Sequence, residues 1–419
     1  MQLQITSIEL YKLRIPLKQP FVISLGAQYD ADNVLVIIRT NKGISGFGEC
    51  SPYMSINGES MDTCFIVGQY LAGLLKGKDP LRIEECVLAM DRLITRNESI
   101  KSAFDMALYD IAAQFMQQPL YQLLGGTKNK LISTDMTVGL GSPEKMAAEA
   151  VQYKAAGFPS IKVKLGTTTA EDVERIKAIR DAIGNELPLR IDANQGWDVE
   201  TAIATLSALK DFGIEHCEEP IARWNFMALP EVRKNSPIKI MSDESCFDEH
   251  DAERLAILEA CDYFNIKLGK SGGIWHALKI VEVAKAHNLK LQVGCFMESR
   301  LAITALVHFA YCSDLIVHYD LDTPLMLKED PVVGGMKFLD NGVVEIDDVQ
   351  SPVPGVSVHR GRVLNGSVDV GSINWHVHIC GPSIVLPFDI QRVIGLESGG
   401  QRGIIGKTAL PFDREVSCT

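Results

Sequence analysis

The sequence predicts an α/β protein: a β/α barrel preceded by an α+β unit. Three observations predict it. After Gly126, short apolar runs end in a polar or charged residue and lead into a helical stretch, and the cycle recurs about every 25 residues, the length of one strand plus one helix. The runs finish near Val138, Lys164, Asp192, Glu218, Asp243, Lys267, Gly294 and Asp320, which makes eight strands. Charge gathers at the C-terminal ends of these runs, where a barrel carries its catalytic groups. An open doubly wound sheet shares the alternation but gives no reason for charge at so many successive strand ends.

The elements follow in order. Ile5 to Ile15 and Asn33 to Arg39 alternate as strands do, and Asn41-Lys42-Gly43 turns the chain into a third strand ending near Glu49. From Ser60 to Gln118 the pattern is helical. Ala103, Met106, Ala107, Ile111 and Phe115 fall three and four apart, one face of an amphipathic helix, which Pro119 and Gly125-Gly126 bring to an end. Residues 1–125 are therefore an α+β unit. Within the barrel of residues 126–325, Asp172 to Ile183 and Ile274 to Ala286 read as amphipathic helices. Gly, Val and Pro between 333 and 357 suggest short strands. Residues 358–419 resemble neither region. There His376-Val377-His378-Ile379-Cys380 places ligand-type residues two apart, but a strand face with chance His and Cys explains it, and this tail receives no role.

Composition excludes some functions. With 53 acidic against 41 basic residues the formal charge is −12, which repels nucleic acid and anionic membranes. Ten scattered cysteines without a CxxC pair suit buried thiols in a reducing cytoplasm. The N-terminus lacks the basic and apolar regions of a secretion signal, and no run reaches the ~20 apolar residues of a membrane helix. A small molecule is the expected partner, and homo-oligomerisation is left open. Gly269-Lys270-Ser271 ends like a nucleotide-binding loop, but Phe264 stands where that motif needs its first Gly.

The strand ends carry the chemistry. In Ile161-Lys162-Val163-Lys164 the two lysines lie two apart on a strand and point to one side, into the barrel mouth. Each disfavours the other's charge, so one is expected to act as a base near neutral pH. Asp192 (in Arg190-Ile191-Asp192-Ala193-Asn194), Glu218 (in Cys217-Glu218-Glu219-Pro220) and Asp243 (in Ser242-Asp243-Glu244-Ser245) come from three adjacent strands. One acid at a strand end often caps a helix. Three, each behind apolar residues, would repel one another without a metal, and oxygen-only ligands suit Mg²⁺. Lys267, at the sixth strand end, faces Lys164 across the mouth, because strands two and six of eight are opposite. Two bases on opposite faces of one carbon fit removal of a proton from one side and its return to the other.

These motifs resemble the muconate-lactonising subgroup of the enolase superfamily, over about residues 1–357. The resemblance rests on Lys162-Val163-Lys164, Asp192-Ala193-Asn194, Glu218-Glu219-Pro220, Asp243-Glu244-Ser245, Lys267 and the segment from Gly294 to Ser299. It implies that Asp192, Glu218 and Asp243 bind Mg²⁺ and that Lys164 and Lys267 are the acid/base pair, the Lys-and-Mg²⁺ chemistry of that superfamily. Lys162 then assists the base and contacts the substrate carboxylate. The same resemblance implies a modified TIM barrel with an α+β capping domain, in which residues 1–125 form the cap and 326–357 return to it.

Within the subgroup, Asp320 and Asp322 look like the DxD element of the dipeptide epimerases, which binds a substrate α-ammonium group. Two apart, they can face one side and clamp a cation. Their other reading is as caps of the following loop. The resemblance thus implies epimerisation of an L,L-dipeptide at the α-carbon of its C-terminal residue. The alternatives are o-succinylbenzoate synthesis, N-acylamino acid racemisation or muconate cycloisomerisation within the same subgroup, and, in another class, a non-catalytic small-molecule-binding barrel.

Side-chain choice falls to two capping loops, Pro20 to Gly26 and Ser51 to Glu59. No Arg or Lys occurs from Gln19 to Ile38. An acidic side chain would need a cation, so an apolar one is expected near Phe21, Ile23, Leu25 or Ile56, although each of these residues could equally pack cap against barrel. Cys295, Phe296 and Met297 are expected at the pocket floor, with Asn194, Glu244 and Glu298 supporting the site from behind.

Overall fold

The cap opens with a long antiparallel hairpin, Ile5–Ile23 against Gly26–Thr40, to which Ser45–Cys50 adds a third strand. The molecule is seen in a computed structural model that describes residues 2–346 together with Ser357–Val358 and Val363–Leu364. The segment expected as the first capping loop is mostly strand: Phe21, Val22 and Ile23 pair with Gln28, Ala27 and Gly26. A register shift between Pro16 and Phe21 interrupts the alternation that identifies a strand, which is why the segment reads as a loop.

The helix Glu98–Met116 departs further from expectation. It is not amphipathic in use: every residue from Ser99 to Ala113 is buried. Ala103, Phe104, Ala107 and Ile111 join the cap core, while Met106, Tyr109 and Ala113 join the barrel core. Phe115, expected on the buried face, is 38% exposed. A side chain at Gly46 or Gly48 would collide with the carbonyls of Ala107 and Ala103, so these two glycines let the sheet touch the helix backbone. The helix is thus shared by two cores.

The barrel strands are Met136–Val138, Ile161–Lys164, Leu189–Asp192, Ile214–Glu218, Lys239–Ser242, Tyr263–Ile266, Lys290–Val293 and Ile316–Tyr319, parallel and in sequential order. The first four end at the expected residues and the last four one residue earlier. Asp135 N donates to Tyr319 O (3.2 Å) and Leu321 N to Thr134 Oγ1 (2.9 Å), which joins the eighth strand to the first. The helix expected at 172–183 is Thr169–Ile183, capped by Thr168 and Glu171, and the later one is Ile274–Ala286.

Beyond the barrel, Leu327 bridges Leu17 and Lys328 N donates to Pro16 O (2.8 Å). Short strands follow at Val332–Val333, Lys337–Phe338 and Val343–Glu345. Val363–Leu364 pairs with Leu13 and Lys12 of the first strand. Eight cysteines among the described residues are free, seven of them buried. No helix among the described residues is long and apolar enough to cross a membrane. The His376–Cys380 motif lies outside the described residues.

Candidate active site at the barrel mouth

Strand register sets the site. Lys164 pairs with Asp192, and Asp192 with Glu218, so these three stand level on neighbouring strands. Glu218 pairs with Met241, two residues before Asp243. Lys267 directly follows the sixth strand. Lys162 and Lys164 do share one side. Lys162 Nζ lies 2.8 Å from Asp320, 2.9 Å from Glu218 and 3.1 Å from Asp192. Lys164 Nζ lies 2.6 Å from Asp192, and Lys267 Nζ 2.8 Å from Asp243. All six barrel-mouth groups, from Lys162 through Lys267, are buried.

These ion pairs, rather than repulsion between the two lysines, govern Lys162. Burial disfavours its charge, but Asp320, Glu218 and Asp192 outweigh burial and hold the ammonium well above its ordinary range. Lys267 is likewise raised, with Asp243 and Glu218 overriding burial. The strand ends supply more carboxylates than lysines, and charge balance follows the carboxylates.

The oxygen groups fit a hard divalent ion. Oδ1 of Asp243, Oε2 of Glu244 and Oδ1 of Asn194 are buried without a hydrogen bond, while Lys267 reaches Oδ2 of Asp243 at 2.8 Å. Unsatisfied buried oxygens of this kind are what a cation satisfies. The three expected ligands are drawn to lysines rather than to each other. The sets of three ligand-type atoms within 4.8 Å among the described residues are Cys295, Asp320 and Asp322 on one hand, and Glu215, His216 and His318 on the other. Lys162 nevertheless touches Asp192 and Glu218 at once, so one cation already spans those two carboxylates.

Supporting groups that sequence reading passed over hold the acids in place. Asn265 Nδ2 and Gln292 Nε2 donate to Glu218 (2.9 and 3.1 Å). Glu219 accepts the amides of Asp243 (2.7 Å) and Ser245 (3.1 Å). Below the mouth, Arg190 bonds Asp135 (2.9 Å) and Glu215 (2.9 Å). Asn194, Gln195 and Glu219 hold φ at 42°, 68° and 34°, strained values gathered at two strand ends.

A recess of about 420 Å³, including its open mouth, lies above these groups. Lys164, Lys267, Asp320, Asp322, Asn194, Cys295, Phe296 and Met297 line it from the barrel, and Phe21, Ile23 and Ile56 from the cap. Gln28, Tyr53, Thr137 and Thr323 also line it, unforeseen from the sequence. Gln28 reaches it because the hairpin pairs it with Phe21, a partnership invisible while that segment reads as a loop. Tyr53 stands inside the second expected capping loop, and Thr323 directly follows Asp322.

Of the residues expected in the pocket, Leu25 does not line the recess, while Glu244 and Glu298 stand behind it as expected. Leu25 packs instead on Ile56, Phe247 and Phe296, because the turn at the hairpin tip directs it there. Glu244 lies behind Asn194, whose Nδ2 it accepts at 3.2 Å, and burial and then Asp243 push its carboxyl up. Glu298 accepts the Phe296 amide (2.6 Å), and burial with Glu49 pushes it up to about 8. Asp322 accepts the Thr137 amide at 2.7 Å, and burial followed by Asp320 raises it to about 7.

Comparison with known proteins agrees with this geometry. Residues 5–125 match the model of the mandelate racemase/muconate lactonizing enzyme N-terminal domain, and residues 145–359 that of the enolase C-terminal domain-like family. A D-Ala-D/L-Ala epimerase of Cytophaga hutchinsonii is 54% identical over 82% of this chain and 94% of its own length. The crystal structure of a dipeptide epimerase from that organism, complexed with Mg and D-Ala-L-Val, superposes with a TM-score of 0.84 at 51% identity, covering 86% of this chain and 97% of that one. That of an Enterococcus faecalis dipeptide epimerase with Mg and L-Leu-L-Tyr gives 0.81 at 36% identity, over 84% and 99%. With its cap, its barrel and its buried acids and lysines accounted for, the chain belongs to the mandelate racemase/muconate-lactonising group of the enolase superfamily.

Proposed function

We propose that the protein is a dipeptide epimerase, which moves a proton at the α-carbon of the C-terminal residue of an L,L-dipeptide with a hydrophobic side chain. The observation that carries this reading is one recess lined by Lys164, Lys267, Asp320 and Asp322 together. The protein is an isomerase, and Mg²⁺ is its cofactor. Asp192, Glu218 and Asp243 would hold the ion, which supplies positive charge to the substrate carboxylate as the α-proton leaves.

The chain's own groups do the rest. Asp320 and Asp322 hold the α-ammonium group of the first residue, which fixes the dipeptide in the recess. One lysine takes the α-proton from one face and the other returns a proton on the opposite face; the roles exchange in the reverse reaction. Lys162, bound to Asp320 and two metal-site acids, would contact the substrate carboxylate, as the family resemblance implies. Phe21, Ile23, Tyr53, Ile56 and Phe296 offer the side chain apolar or aromatic surface. Lys164 and Lys267 are the cations among the lining residues, and both are committed to the proton transfer, which supports an apolar over an acidic side chain.

In this reading residues 1–125 and 326–357 cap the barrel of residues 126–325. The buried unpaired thiols suit the cytoplasm.

The test incubates the full chain with Mg²⁺ and a panel of hydrophobic dipeptides in deuterated water. Deuterium should enter the C-terminal α-carbon, and an absence across a broad panel would overturn the reading. A substrate lacking the ammonium group, as in the other reactions of the subgroup, would be turned over equally well by Asp320→Asn with Asp322→Asn.

A further inference from the structure

At the ammonium end of the recess a thiol joins the two aspartates. Cys295 Sγ and one oxygen each of Asp320 and Asp322 lie within 4.8 Å of one another, and all three residues line the recess. They stand on the ends of adjacent strands, seven and eight, whose register pairs Val293 with Tyr319. The cluster is therefore built on the sheet rather than on a mobile loop. Both carboxylates are fixed in place: Lys162 Nζ rests on one oxygen of Asp320 at 2.8 Å, and the Thr137 amide donates to one oxygen of Asp322 at 2.7 Å. Cys295 itself is 8% exposed.

The donor set differs in kind from the oxygen-only set around Asp192, Glu218 and Asp243. One sulfur with two carboxylates suits Zn²⁺ or Cd²⁺, and Mg²⁺ poorly. Charge balance also permits it. When a divalent ion binds at a pH above the Asp322 value of about 7, the Cys295 S–H bond breaks, the proton leaves to solvent and a metal–sulfur bond forms, with no change of oxidation state. The site then gains one net positive charge, the same as a substrate ammonium brings. Burial and then Asp320 and Asp322 push the free thiol up, so neither an ammonium group nor Mg²⁺ is expected to ionise it.

We propose that Cys295, Asp320 and Asp322 form a second metal site, for a thiophilic divalent cation such as Zn²⁺, whose occupation excludes the ammonium end of the substrate. The site stands on the geometry above; the competition alone rests on the dipeptide reading.

The experiment titrates Cd²⁺ into the full chain held in excess Mg²⁺ and follows the ultraviolet charge-transfer absorbance of a Cd²⁺–thiolate bond. One equivalent should produce the band. Cys295→Ser should abolish it, Asp322→Asn should weaken binding by more than about tenfold, and Cys312→Ser should leave it intact. No band in the parent, or a band that survives Cys295→Ser, overturns the proposal. If Cys295→Ser fails to fold, release of about one proton per Cd²⁺ by the parent, read at a pH above the Asp322 value of about 7, and weaker binding in Asp322→Asn decide the matter, and an unchanged affinity there overturns it. Zn²⁺ should then raise the apparent KM for a dipeptide and leave kcat alone; inhibition that excess dipeptide cannot relieve overturns the competition. A band lost in Cys295→Ser, with no dipeptide turned over by Zn²⁺-free enzyme, upholds the metal site and sinks the substrate reading instead.

Discussion

The two walls of the recess are built on opposite principles. The barrel wall is charged, buried and cross-braced: Lys162 alone touches three carboxylates, and Glu218 is held by Lys162, Asn265 and Gln292 at once. The cap wall is a hairpin tip and a loop that offer Phe21, Ile23, Tyr53 and Ile56, packed by contact rather than by ion pairs. The difference teaches where chemistry and choice reside. Groups that exchange protons must be placed within tenths of an ångström, and parallel strands do that. Groups that select a side chain need only shape and polarity, which a cap can vary without disturbing the barrel.

The contrast breaks most visibly if a lysine is removed. Lys164→Ala or Lys267→Ala should lower epimerisation by about 10³- to 10⁴-fold, while α-proton exchange continues for the one epimer whose base remains. Polarimetry alongside deuterium exchange would measure both, and equal loss of both activities in both variants would dismantle the two-base scheme. Next in size, Asp320→Asn with Asp322→Asn should cut kcat/KM for dipeptides by about a hundredfold, the worth of charged hydrogen bonds to one ammonium.

On the cap wall the effects should be smaller and of another kind. Ile56→Ala should raise KM for a bulky dipeptide by about tenfold with kcat nearly unchanged, since it removes uniform binding. Ile23→Arg should move preference towards acidic dipeptides by supplying the missing cation; a substrate panel that keeps its order would detach the cap from specificity.

The smallest effect concerns the junction of the walls' two supports. His276, on the helix Ile274–Ala286, lies 3.2 Å from Asp91 of the cap and 2.9 Å from Glu249. Burial lowers its basicity, but the two carboxylates prevail and raise it to about 9 from 6.5. A histidine raised on folding contributes stability that is complete below its unfolded value and disappears as pH rises through the folded one. The melting temperature should therefore fall between about pH 6.5 and 9, and His276→Gln should flatten that slope. A slope unchanged in the variant would place the pH dependence elsewhere.

Much of the barrel was legible because its signals are local. A strand that ends in a charged residue, repeated about every 25 residues, reveals strand, helix and the level of the reactive groups at once. Asp192, Glu218, Asp243, Lys164 and Lys267 could be named for that reason. The hairpin tip was read wrongly because its register shift hides the alternation, and Gln28 was lost with it. The helix Glu98–Met116 was read as one-sided because a sequence cannot show that a second core will cover its other face.

The sequence by itself determined the order of the elements, the acids and lysines at the strand ends and the absence of Arg and Lys from Gln19 to Ile38, since each follows from residue type and spacing along one chain. Only the tertiary structure decided the partners. Lys162 is an ammonium because carboxylates from three other strands close around it, and Cys295 joins Asp320 and Asp322 because two strand ends stand level. Electrostatics and coordination depend on distance in space, and distance between strands is set by register and closure, which no single stretch of sequence encodes.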